Sequence, residues 1–122
     1  MLALNIMVVD DSQLAIRKME TLLVNMGHSV GAKAVTGSDA IHKYRTTLPD
    51  VVTMDITMPE MDGIEATGRI IKEFPDAKII MVTSHGQEDM VRQAIKAGAR
   101  GYVLKPVDPE KLAQQIEAII NL

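Results

Sequence analysis

The sequence predicts an α/β fold, a doubly wound parallel sheet, and three observations predict it. Five short apolar runs of strand length alternate with five amphipathic stripes of helical period. Most of the short runs are apolar on both faces, as strands of a parallel sheet covered by helices on each side must be. Charged or hydroxyl residues follow four of the five runs almost at once.

The elements can be justified in chain order. A strand is expected over residues 6–9, then a helix whose apolar face is Ala15, Met19, Leu22, Leu23 and Met26, stopping at Gly27. The second strand, residues 30–34, alternates Val30, Ala32 and Ala34 with Gly31 and Lys33 and reads as a strand near a sheet edge. Ala40, Ile41, Tyr44 and Leu48 form the next stripe, with Ser38 as N-cap and Pro49 as terminator. A third strand over 51–54 precedes the stripe Ile64, Thr67, Ile70, Ile71 and Phe74, closed by Pro75-Asp76. A fourth over 79–82 precedes Val91, Ala94 and Ile95, ending at Gly98. The fifth strand, 102–104, leads to Leu112, Ile116, Ile119 and Ile120 on a helix opened by the N-cap Asp108 and by Pro109 in its first turn. Alternating strands and helices of this kind wind with right-handed crossovers. One domain over residues 1–122 is expected, with no linker, repeat or following output domain.

Composition narrows the function classes. With no cysteine, disulfides, thiolate metal sites and cysteine nucleophiles are excluded. Met1-Leu2-Ala3-Leu4-Asn5 lacks the pattern of a signal peptide, and no apolar stretch approaches the ~20 residues that cross a bilayer. A net charge of −3 without basic clusters argues against nucleic-acid binding. A cytoplasmic monomer touching neither nucleic acid nor membrane is the expectation.

The polar residues carry the chemistry. Asp10 and Asp11 follow the first strand, Asp55 the third, Thr83 and Ser84 the fourth, and Lys105 the fifth. Parallel strands bring all these ends to one carboxyl edge, where ligands bind in open α/β sheets. At ~4 Å and an effective dielectric of ~20, two like charges repel by roughly 4 kcal/mol, so three carboxylates in one crevice call for a cation. Hard oxygen donors without histidine or cysteine suit Mg²⁺. Lys105 offers a compact charge and Thr83 a hydroxyl to a phosphoryl oxygen. A carboxylate nucleophile, Mg²⁺, a lysine and a hydroxyl together describe a phosphoryl-transfer site.

Over the whole chain the sequence resembles the response-regulator receiver family. The resemblance rests on Val8-Val9-Asp10-Asp11-Ser12, on Met54-Asp55-Ile56-Thr57-Met58-Pro59-Glu60-Met61-Asp62-Gly63, on Val82-Thr83-Ser84 and on Lys105-Pro106. It implies a five-stranded sheet of order 2-1-3-4-5 with five helices, Asp55 as phosphoacceptor, and Asp10, Asp11, Asp55 and the Thr57 carbonyl around Mg²⁺. It further implies Lys105 as the phosphate-contacting lysine before a cis bond to Pro106, and Thr83 with Tyr102 as a switch pair. The implied partners are a histidine kinase or phosphotransfer protein and a downstream target or output domain. The implied role is phosphorylation-dependent signalling, with catalysis limited to the module's own phosphorylation and dephosphorylation. Ser84 replaces the family's usual alanine, and Thr57 and His85 occupy the positions that tune phosphoryl lifetime. The stretch around Asp55 is most similar to stand-alone chemotaxis members.

Plainer roles stand beside these. Ser12 or Asp11 can cap the first helix, and Gly63 answers a backbone need. Tyr102 can be core packing, His28 and His42 solvated surface residues, and His85 an exposed loop residue. The nine methionines read as filler on the helix stripes. Glu88, Asp89 and Glu110 suit helix dipoles. A phosphohydrolase built on an aspartyl-phosphate would want a second aspartate where Thr57 stands, and a nucleotide or flavin binder would want a phosphate loop where Asp10-Asp11 repel phosphate.

Overall fold

The computed structural model describes residues 3–84 and 88–121, and within them the five apolar runs form one parallel sheet. Its strands are β1 (Asn5–Val9), β2 (Ser29–Ala34), β3 (Val51–Asp55), β4 (Ile79–Thr83) and β5 (Gly101–Leu104). Helices α1 (Gln13–Asn25), α2 (Gly37–Thr47), α3 (Gly63–Glu73), α4 (Glu88–Ala97) and α5 (Pro109–Ile120) alternate with them. The strand order is β2-β1-β3-β4-β5 with every pairing parallel.

Alternation along each strand divides the core into two layers. Ile6, Val8, Ile80 and Val82 face Leu23 of α1 and Leu112 and Ile116 of α5. Met7, Val9, Met54 and Met81 face Ala40, Tyr44, Ala66, Ile70 and Ala94 of the other three helices. A fully buried leucine such as Leu112 contributes roughly 1.5–3 kcal/mol, and both layers contain several such side chains. β2 lies at a sheet edge, as its alternating composition suggests, and exposes Ser29, Gly31 and Lys33.

Helix ends follow local chemistry. Ser12, Asp62 and Asp108 cap α1, α3 and α5 by accepting main-chain N–H bonds from Ala15, Glu65 and Glu110. Gly27 and Gly98 follow α1 and α4 with φ of +93° and +116°, a left-handed backbone that glycine adopts without a Cβ penalty. The cap of α2 is Thr36, whose Oγ1 accepts from Asp39 N–H at 3.0 Å, so Ser38 lies inside the first turn. Either hydroxyl could cap on local grounds. Gly37 is already helical and buried, so the cap falls on the residue before it.

Several side chains point elsewhere than their periodicity suggests. Leu48 is not on the buried stripe of α2; it ends the helix in the left-handed region and is 60% exposed. Ile16 rather than Ala15 is buried on α1, and Ile95 of α4 is 58% exposed. The methionines with no exposed surface, Met7, Met54 and Met81, lie on strands rather than helix stripes. His42 is exposed, but His28 is buried and its Nδ1 accepts the Leu4 N–H at 3.1 Å.

That bond anchors the chain just before β1. Removing a buried acceptor leaves its donor unsatisfied, so His28→Ala should cost about 1–3 kcal/mol in urea denaturation. His42→Ala should stay within about 0.5 kcal/mol of wild type.

Candidate functional site

The parallel sheet delivers the expected residues to one edge. Asp10 directly follows β1, Asp55 and Thr83 end β3 and β4, and Lys105 directly follows β5. Main-chain bonds hold these ends in place: Asp10 N–H donates to Ala34 O, Ile56 N–H to Val82 O, and Lys105 N–H to Thr83 O at 2.8 Å.

Lys105 lies between two carboxylates. Its Nζ donates to Asp10 Oδ2 at 2.8 Å and stands 3.6 Å from Asp55 Oδ1. The other oxygen of Asp10 accepts the Ser12 N–H at 2.9 Å, so the residue that caps α1 also orients the acid. Asp10 and Asp55 are buried, Asp11 is exposed, and each offers an oxygen within 4.8 Å of the others.

Electrostatics record the crowding. Burial, with the charges of Asp10 and Asp11, raises the Asp55 carboxyl from an ordinary 3.8 to about 6, with Lys105 opposing. Burial alone would lower the Lys105 ammonium; the hydrogen bond to Asp10 and the charges of Asp55 and Asp10 outweigh it and raise it. One lysine therefore does not neutralise three carboxylates. The all-oxygen donor set and its spacing fit a hard divalent cation.

The loop between β3 and α3 explains Gly63. Its N–H donates to Ile56 O at 2.8 Å, and a Cβ there would lie 2.0 Å from the Asp55 carbonyl oxygen, so only glycine permits this approach. Thr57 is exposed at the start of this loop. Lys105–Pro106 is cis, as the resemblance implied.

Thr83 is buried, whereas Tyr102 is 44% exposed and is not a core residue. Tyr102 pairs with Met81 and Leu104 with Thr83, which places all four on the same side of the sheet. Ser84 is exposed beside the site, and His85 lies outside the described residues. A cavity of about 730 Å³ runs from Asp10, Ser84 and Lys105 between α1 and the turn at Pro106-Val107. Nothing in the apolar periodicity announces it, because it depends on how α1 sits against the strand ends and the Pro106-Val107 turn.

Comparison with known proteins bears on this geometry. Residues 6–117 match the model of the response regulator receiver domain. The chain is 40% identical over 114 residues to the chemotaxis protein CheY of Thermotoga maritima, covering 93% of this chain and 95% of that protein. With CheY of Bacillus subtilis it shares 41% identity over 120 residues, 98% of this chain and 100% of that one. Among solved structures, the CheX–CheY–BeF3–Mg²⁺ complex from Borrelia burgdorferi superimposes with a TM-score of 0.90 at 32% identity, covering 94% of this chain and 87% of that one.

The raised Asp55 carboxyl has a pH signature. Folded Asp55 keeps its proton to about pH 6, whereas an unfolded aspartate loses it near 3.9. Metal-free stability should therefore fall as pH rises through that window. Asp55→Asn should remove this fall, stabilising the metal-free protein at pH 7.5 by on the order of 1–3 kcal/mol and by little at pH 4. Urea denaturation across that range, with a chelator present, measures it.

Proposed function

The chain belongs to the response regulator receiver family, and from that premise we propose that it takes a phosphoryl group onto Asp55 and passes the signal on through an altered surface. It is a receiver module of two-component response regulators, a signalling module rather than a catalytic enzyme. The observation that carries the residue assignment is the convergence of Asp10, Asp11 and Asp55 within 4.8 Å of one another beside Lys105.

In this reading an Asp55 carboxylate oxygen attacks the phosphorus of a phosphohistidine on a histidine kinase or phosphotransfer protein. The P–N bond breaks, its electrons stay with the imidazole, and the P–O bond forms. Asp10, Asp11, Asp55 and the Thr57 carbonyl would hold Mg²⁺, which supplies charge neutralisation and a ligand position for a phosphoryl oxygen. Lys105 contacts the phosphoryl group and balances its charge. By resemblance to the family, Thr57 and His85 occupy the two sequence positions that tune how long the acyl phosphate lasts, and the module catalyses only its own phosphorylation and dephosphorylation.

The output follows from the other side of the sheet. Phosphate on Asp55 offers strong acceptors to the Thr83 hydroxyl. Movement of Thr83 makes room for Tyr102 to turn inward from its exposed position. Ile95 and Leu104 are also exposed, at 58% and 47%, which supports an apolar docking face there for a target protein or output domain. Residues 1–122 act as one receiver domain in the cytoplasm, monomeric and without nucleic acid or membrane. Among the described residues no helix is long and apolar enough to cross a membrane.

Two measurements test this. Acetyl phosphate with Mg²⁺ should add one phosphoryl mass to wild type and none to Asp55→Asn; equal labelling of both moves the acceptor elsewhere. Beryllofluoride should shift the amide resonances of Ile95, Tyr102 and Leu104 in wild type. In Thr83→Ala the ion should still bind but leave those resonances near their starting positions. Full shifts in the variant would place the switch outside Thr83.

A further inference from the structure

The loop that carries Thr57 contains a backbone conformation its own sequence does not favour. Glu60 has φ +68°, in the left-handed region, and the Met61 N–H donates across it to Pro59 O at 2.9 Å. A hydrogen bond spanning one residue at positive φ is the rarer, strained sense of the three-residue turn. Such strain persists only where the surroundings hold it.

The surroundings are specific. Downstream, Gly63 is pressed against the Asp55 carbonyl. In between, Met61 lies directly across Gly37, the first residue of α2: a Cβ at Gly37 would come within 2.9 Å of Met61 Cγ and Sδ and 3.0 Å of its Cβ. Met61 also packs against the core layer beneath α2, α3 and α4. Its side chain is therefore pinned between the start of α2 and that core, immediately after the strained residue.

We propose that the seat of Met61 on Gly37 is a clamp that positions the Thr57 carbonyl for the metal, making Met61 and Gly37 positioning residues of the site although neither bears a ligand atom. The proposal rests on the Mg²⁺ reading given above. Its physical basis is the difference between two ions. Mg²⁺ demands a near-ideal octahedron at about 2.0–2.1 Å, whereas Ca²⁺ accepts six to eight oxygens at about 2.3–2.6 Å in flexible geometry. With the clamp released, the turn at Glu60 relaxes and the carbonyl drifts. Mg²⁺ suffers from that drift more than Ca²⁺ does.

The test is calorimetric titration of Mg²⁺ and of Ca²⁺ into wild type, Met61→Ala, Met61→Leu and Gly37→Ala. Met61→Ala should lose Mg²⁺ affinity by about tenfold, the lower end for groups that support metal ligands indirectly, and Ca²⁺ affinity by less. Met61→Leu, which conserves volume, should restore the wild-type ratio of the two affinities. Gly37→Ala introduces a methyl where Met61 sits; helices favour alanine over glycine, so loss of the fold is not the expected outcome. It should reproduce the selectivity loss by displacing Met61. A general loss of stability would weaken both ions alike, so an unchanged Mg²⁺:Ca²⁺ ratio in both Met61→Ala and Gly37→Ala overturns the clamp. If wild type itself takes up no Mg²⁺, the metal reading fails and the clamp with it.

Discussion

Lys105 holds two buried carboxylates from strands far apart in the chain, at 2.8 Å to Asp10 and 3.6 Å to Asp55, and the arrangement of the molecule follows from keeping that triangle together. The acids would repel one another if the lysine were absent, and the lysine would be partly buried without a partner if they were. Each comes from the end of a different strand. Only a parallel sheet in which β1, β3, β4 and β5 end on one edge brings them into contact. The Lys105 N–H bond to Thr83 O extends the β4–β5 pairing just far enough to aim the ammonium group inward.

The two core layers make this polar edge tolerable. Asp55 sits on a strand every residue of which is buried, and its carboxyl is raised to about 6 mainly because of that burial. Ile6, Val8, Ile80 and Val82 on one side and Met7, Met54 and Met81 on the other supply the apolar contact that offsets a poorly neutralised cluster. A site left with excess negative charge is well matched to a divalent cation, which neutralises it. Stability is thus given up where chemistry is to happen, as functional sites commonly require.

The helices are anchored unequally. α3 buries Gly63, Ala66, Thr67 and Ile70, whereas Ala94 is the buried residue of α4 among the described residues. Ile95, Tyr102 and Leu104 stay exposed on and beside α4, so apolar area there remains available instead of strengthening the core. α4 is anchored by Ala94 with help from the partly buried Met90, less apolar contact than α3 makes, so it can move at lower cost than α3.

Much of the fold was legible in the sequence. Strands buried on both faces have to be apolar throughout, and amphipathic stripes between them have to be helices, so the alternation of strands and helices followed from residues such as Val51, Val52, Ile79 and Ile80, whereas the order of strands in the sheet came from the family resemblance. The acids and Lys105 were legible for the same reason: strand ends of a parallel sheet meet at one edge, whatever the details of packing. Tertiary structure decided the rest, because it depended on which neighbour arrives. His28 became a buried acceptor because the Leu4 main chain passes it, and Leu48 left its stripe because α2 ends there in a left-handed cap. Thr36 rather than Ser38 capped α2, and Ile95 faced outward because α4 meets the core through Ala94. The contact of Met61 with Gly37 joins the loop after β3 to the start of α2, which local sequence treats as unrelated. A sequence pattern records what each residue can do within its own strand or helix; contacts between elements arise only when the sheet closes and excludes water from between them.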